Sequence, residues 1–205
     1  MTDDRPVLEG RPQASGPPPI GPAEVLDFWF GTPRGRARRE WFVKDAAFDE
    51  EIRRRFGALH EAASRRALEA WRESRDGMLA LVILLDQFSR NLYRGQARAY
   101  AQDAHALECV RQALARGDDR QLAPAERQFL YLPLEHSEDL DVQDEALERM
   151  RSLDYFDEMR GALEWARRHR EIIARFGRFP HRNAALGRAS TPDEVEFLKE
   201  PGSGF

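Results

Sequence analysis

Three short stretches of the chain gather side chains able to move protons or hold an anion: LLDQFSRN at Leu84–Asn91, FLYLPLEHSED at Phe129–Asp139, and HREIIARFGRFPHRN at His169–Asn183. Histidine titrates near neutrality and is the commonest proton shuttle. His136 and His169 are therefore the candidate acid/base groups. Guanidinium offers a fixed fork of donors that fits carboxylate or phosphate, and amides and carboxylates orient such groups. Asp86, Gln87, Arg90, Asn91, Glu138, Arg175, Arg178, His181, Arg182 and Asn183 are accordingly the candidate ligand-binding residues.

Each stretch also has a structural reading. Asp86 and Arg90, like Gln87 and Asn91, are four apart and would lie side by side on a continuing helix, fastening its end to a loop. Phe129, Leu132 and His136 share a helical face, which turns His136 inward, where most histidines are simply satisfied core residues. His169 interrupts the apolar line Ala162, Ala166, Ile173, Phe176. The run from Arg175 to Arg182 alternates cationic or ionisable groups with Phe176, Gly177, Phe179 and Pro180, too apolar for a disordered basic tail. Phe88-Ser89-Arg90-Asn91 echoes Phe179–Asn183 with one residue removed, so two helix exits can offer the same pair of donors to one anionic or carbonyl-bearing group.

The elements that must position these residues read as helices throughout. Ala23–Phe30 is a short aromatic piece stopped by Gly31 and Pro33. A helix is expected over about 45–66, with Phe48, Ile52, Phe56 and Leu59 at helical spacing. Over 76–88 the middle, Met78–Leu85, is apolar on every side, the mark of a buried helix. A loop over 89–96 leads to a helix over 97–116 ended by Gly117. Pro124 opens the next, to about 138, with Pro133 as a kink. Helices over 141–153 and 155–176 follow, then an irregular segment over 177–190 and a short helix begun by Thr191-Pro192-Asp193-Glu194. No segment alternates with the period of a strand. The expectation is an all-α protein of antiparallel helical hairpins in one domain over 23–205, preceded by a disordered, proline-rich leader over 1–22.

Composition removes several function classes. A net charge of −4 gives no field for nucleic acid or an anionic membrane. No apolar run reaches the roughly 18 residues that span a bilayer. One cysteine, Cys109, excludes an internal disulfide and thiolate-rich zinc sites, and a cytoplasmic setting is expected. Gly-x-Gly-x-x-Gly, the phosphate-binding loop with Gly-Lys-Ser/Thr, His-Glu-x-x-His, Glu-x-x-His and Gly-x-Ser-x-Gly are all missing. His136, His169, His181 and Asp86 or Glu138 are too scattered in sequence to predict a metal, and no cofactor is named by the pattern.

Taken together, Asp86–Asn91, Phe129–Glu138 and Arg175–Asn183, with VLDFWFG at Val25–Gly31 and WFVKDAAFD at Trp41–Asp49, resemble the bacterial proteins grouped as domain of unknown function 924 over about 23–198. Their hallmarks are Asp-Gln-Phe-Pro-Arg-Asn, Phe-x-Tyr-Leu-Pro-x-x-His-Ser-Glu and Arg-Phe-Gly-Arg-Phe-Pro-His-Arg-Asn. This chain departs at Ser89, where the family has proline, so that loop is expected to be less rigid. The resemblance implies a tetratricopeptide-like, right-handed helical array and no activity. Two functional expectations stand. One is an enzyme or binding pocket for a small anionic or carbonyl-bearing ligand, with no nucleic acid or membrane as partner. The other is a helical-repeat module for a peptide or protein partner, its polar motifs serving as internal clasps.

Overall fold

The computed structural model describes residues 20–34, 38–41, 43–156, 159 and 161–204. Most of the expected leader, 1–22, lies outside them. Among the described residues the protein is all-helical, without strands. No helix is long and apolar enough to cross a membrane.

The first helices, α1 (Pro22–Phe30) and α2 (Ala46–Ser64), carry the leading aromatics. α2 begins where expected because the Asp45 carboxylate accepts hydrogen bonds from the Ala47 and Phe48 amides. The central helix is one continuous run: α3 (Arg75–Val82), a π-helical segment Ile83–Phe88, and α4 (Ser89–Leu92). It extends one turn past the loop expected at Ser89. Met78 through Leu85 are all buried, and α3 packs on α1, α5 (Asp103–Arg116) and α6 (Pro124–Glu135).

α5 starts later than its apolar pattern suggests, because 97–99 form a separate tight turn. It ends at Gly117, whose φ of 74° is a left-handed cap that only glycine adopts without strain. Pro133 lies inside α6, which ends at Glu135, short of the expected 138. α7 (Leu140–Arg151) packs between α6 and α8 (Ala162–Phe176). α8 begins seven residues later than expected, after a turn region, and Gly177 closes it with φ 68°. The tight turn Pro180–Arg182 and α9 (Pro192–Phe197) complete the chain. Thr191 caps α9 as expected, its hydroxyl accepting from the Glu194 amide.

An aromatic layer backs the π segment. Phe129 contacts Trp29, Phe30 and Trp41 with ring centroids 5.4, 5.6 and 4.7 Å away. Phe88 packs on Trp29 at 5.7 Å and Phe56 at 5.2 Å. These rings fix Phe88 and so the backbone that carries Asp86, two residues before it. Rings of this size bury large apolar areas and contribute strongly to a core.

The start of α3 admits no side chain at Gly77. A Cβ there would lie 2.2 Å from the Trp71 carbonyl oxygen and 2.7 Å from the capping Ser74 Oγ. Gly77→Ala is therefore expected to destabilise the protein by about 2 kcal/mol, the range of forced overpacking. Urea denaturation measures it, and a variant as stable as the native chain would refute the close approach.

Candidate functional site

The three sequence stretches meet where the π segment, the end of α6, the inner face of α8 and the Pro180–Arg182 turn come together. π-helical turns widen the helix by one residue and recur at functional positions. Here the widening leaves Asp86 fully buried at the centre of a polar cluster. His136 Nδ1 lies 2.7 Å from Asp86 Oδ1, Arg90 Nη1 is 3.1 Å from the same oxygen, and Gln87 Nε2 donates to Oδ2 at 2.6 Å. Burial alone would push the Asp86 carboxyl up, but Arg90 and His136 beside it hold it well below the usual carboxylate range.

An ionised carboxylate only accepts, so His136 must donate from Nδ1. That fixes its tautomer and leaves the Nε2 lone pair outward. No other described residue forms a hydrogen bond with Nε2, and the imidazole keeps 14% of its side chain exposed. Burial, then repulsion by Arg90, lower its pKa against the opposing pull of Asp86, so His136 is neutral at pH 7.

Two arginines frame this dyad. Arg90 makes a forked pair with Asp103, Nη1 to Oδ1 at 3.0 Å and Nη2 to Oδ2 at 3.2 Å, and also donates to the Asp86 carbonyl. Arg182 reaches Asp103 Oδ2 at 3.2 Å from the other side, donates to the His136 carbonyl at 3.0 Å, and stacks between Tyr100 and Phe179 at 4.7 and 4.4 Å. The two echoed motifs thus converge on one anionic group, and it is the chain's own Asp103. Their asparagines diverge: Asn91 donates to Asp49, and Asn183 to Ser190 and Glu194.

Below the dyad, the His169 ring lies 6.1 Å from His136 and 5.7 Å from Phe179. Its Nδ1 donates to the Trp165 carbonyl at 2.8 Å, and burial followed by the nearby His136 pushes its pKa down to about 3. Next to it sits Glu135, a residue the sequence did not single out. Its carboxyl is 2% exposed and lies 3.5 Å from His169 Nδ1. Burial, with the charge of Asp86 adding to it, pushes that carboxyl up to about 8. His181 closes the same side, 5.6 Å from Phe179, its pKa lowered to about 3 by burial and by Arg182 and Arg90.

Of the candidate residues, Asp86, Gln87, Arg90, His136, His169, His181 and Arg182 are brought together. Glu138 stands one step out. It accepts the Phe179 amide at 2.8 Å and a forked pair from Arg188 at 2.6 and 2.9 Å, holding the Phe179–Arg182 turn in place. Arg178 faces away, paired with Glu194 at 2.6 and 2.8 Å. Arg175 is exposed on α8, stacked on Phe176 and Phe197 at 4.6 and 5.7 Å. Sequence reasoning also missed Asp103, Tyr100 and Arg188. Among the described residues no group of three or more histidine, cysteine or carboxylate side chains is arranged to hold a metal. Cys109 is fully buried, and burial raises its thiol to about 11, as a packing role requires.

Comparison with known proteins agrees with the sequence resemblance. The family described as "Bacterial protein of unknown function (DUF924)" matches residues 25–202. A solved structure of a protein of unknown function from Agrobacterium tumefaciens is 42% identical, covers 87% of this chain and 96% of its own, and superposes with a TM-score of 0.80. No curated protein matches the chain. With the family match spanning most of the sequence, the chain belongs to the bacterial family of domain of unknown function 924.

Proposed function

We propose that the protein binds a small anionic or carbonyl-bearing ligand at His136 and handles a proton there. The carrying observation is the Asp86–His136 hydrogen bond of 2.7 Å with Nε2 left unpartnered. A carboxylate that fixes an imidazole tautomer and supports the imidazolium is the recurring way to make histidine a general base. Arg90 and Arg182 flank it, and the carboxylates of Asp86 and Asp103 together balance their two charges, so the site supplies hydrogen-bond donors without a large net charge. A buried single thiol and the absence of a membrane-length helix among the described residues fit a cytoplasmic setting.

The same arginine pairs support a second reading. Arg90 and Arg182 reach acceptors within the chain, as clasps of a tetratricopeptide-like helical array would. In that case a peptide or protein partner would meet another surface, such as that around Tyr155, which is 90% exposed.

A thermal-shift panel of small carboxylates, phosphates, ketones, aldehydes and amides separates the two. A ligand that binds only the native state raises Tm. At least one probe is expected to do so for the native chain and to fail with His136→Gln, whose unliganded Tm stays close to native. Indifference of both proteins to the whole panel refutes the small-ligand reading and favours the clasp.

A further inference from the structure

We propose that Glu135 is a second proton-handling group of this site: a carboxylic acid that keeps its proton in the folded protein and, beside His169 and next to the His136 base, donates it in a hydrogen bond to an uncharged carbonyl oxygen of the ligand. The proposal rests on the small-ligand reading above and narrows it from anions to neutral carbonyl groups.

The geometry carries it. Glu135 is the last residue of α6, directly before His136, and its side chain is almost wholly removed from solvent. Nothing compensates a charge there. The carboxyl has no hydrogen bond from any described residue, and the imidazole beside it, His169 Nδ1 at 3.5 Å, already donates to the Trp165 carbonyl. An isolated buried carboxylate costs far more than neutralising it. The groups packed around it do not change this. Asp86 in the π segment is a fixed negative charge, and α7 contributes Gln143, whose amide donates to the Glu135 and Ser137 carbonyls rather than to the carboxyl. Arg90 and Arg182 are taken by Asp103, while His169 and His181 are uncharged near neutrality.

Among the described residues a protonated Glu135 is a donor with no acceptor, and His136 Nε2 is an acceptor with no donor. Two adjacent residues of one helix end thus offer a ligand one proton and one lone pair. A carbonyl compound with a neighbouring acidic hydrogen satisfies both. A carboxylate satisfies only the donor and must sit near Asp86 and Asp103.

Infrared difference spectra of full-length protein labelled with 13C-glutamate, native minus Glu135→Gln, isolate the Glu135 carboxyl. Glu135→Met serves as a second reference should the glutamine variant misfold. At pH 7 the expected spectrum holds a protonated-acid carbonyl band. That band should shift to lower frequency with acetone or acetamide and stay put with acetate. A carboxylate signature at pH 7, or a protonated band unmoved by acetone and acetamide, overturns the proposal. The protonation state at pH 7 does not depend on the thermal-shift result. A carboxylate signature sinks the Glu135 assignment alone, whereas a protonated band unmoved by acetone and acetamide sinks the small-ligand reading with it only if the thermal-shift panel is flat as well.

Discussion

Asp86→Ala is expected to remove roughly 3–5 kcal/mol of stability, the cost of breaking a buried ion pair by deleting one partner. Asp86, itself fully buried, is the common acceptor for His136, Arg90 and Gln87. Alanine leaves His136 Nδ1 without its acceptor and Arg90 with Asp103 as its one remaining carboxylate. For a domain whose total stability is about 5–15 kcal/mol, a loss of this size separates a folded chain from a marginal one. Urea denaturation at pH 7 measures it, provided the slope of the transition is unchanged. Asp86→Asn isolates charge from shape. Its carbonyl oxygen can accept from both His136 and Arg90, and its amide can face Gln87 after that side chain turns over. The tautomer of His136 is then kept, but the negative charge that raises its pKa is gone. Histidine nitrogen shifts should report an imidazole still protonated at Nδ1 and harder to protonate at Nε2. An alanine variant within about 1 kcal/mol of native would mean that Asp86 is not the buried keystone its contacts describe.

The helical core and the meeting of the three motifs were legible in the sequence because both rest on local signals. A run apolar on all sides can only be buried, and Met78–Leu85 is. Arginine and histidine at helix exits next to apolar faces can only lie at the edge of a core, and Arg90, His136 and Arg182 do. Spacing alone could not reveal the π turn. It keeps Asp86 against Arg90 but sends Gln87 to Asp86 and Asn91 to Asp49, where a regular helix would have set the two amides side by side. The same continuation buries Ser89. Instead of loosening a loop, it donates to the Leu85 carbonyl at 2.6 Å and meets His60 Nε2 at 2.8 Å. Asp103 was invisible for a different reason. It is one of 36 acidic residues, and nothing local marks it as the counter-ion of two arginines 13 and 79 positions away. Arg175 and Arg178 misled because they share a motif with Arg182. Arg175 lies exposed on α8 and Arg178, just past the left-handed Gly177, turns to Glu194, whereas the tight turn at Pro180–Arg182 carries Arg182 inward to Asp103. Glu135 escaped notice because burial at a helix end is decided by what covers it. Here the cover is α8, 34 residues downstream at His169.

That cover gives Glu135 a pH signature opposite in sign to that of the histidines. Its carboxyl is raised from 4.5 to about 8 in the folded protein. Below pH 4.5 the folded and unfolded states both hold the proton, and burial carries no protonation penalty. As pH rises above 4.5 the unfolded chain ionises and the folded one does not, so the folded state loses ground until about pH 8, where both are ionised. At about 1.4 kcal/mol per pKa unit, the loss accumulated across that window is on the order of 5 kcal/mol. His169, lowered from 6.5 to about 3, works the other way: its stabilising neutrality is lost as pH falls below 6.5. The two therefore overlap between pH 4.5 and 6.5 and must be separated by mutation. Glu135→Gln removes only the first. Whatever offset glutamine itself introduces is independent of pH, so the difference between variant and native stability should climb by roughly 5 kcal/mol from pH 4 to pH 8.5, in favour of the variant. The climb should be flat at both ends and steepest between them. A difference that stays level across the range would mean the carboxyl ionises as freely in the folded chain as in the unfolded one. The donor assigned to it would then not exist. A climb of the expected size, with His136→Gln leaving it intact, would locate the burdened proton at Glu135 and leave His136 as the site's free base.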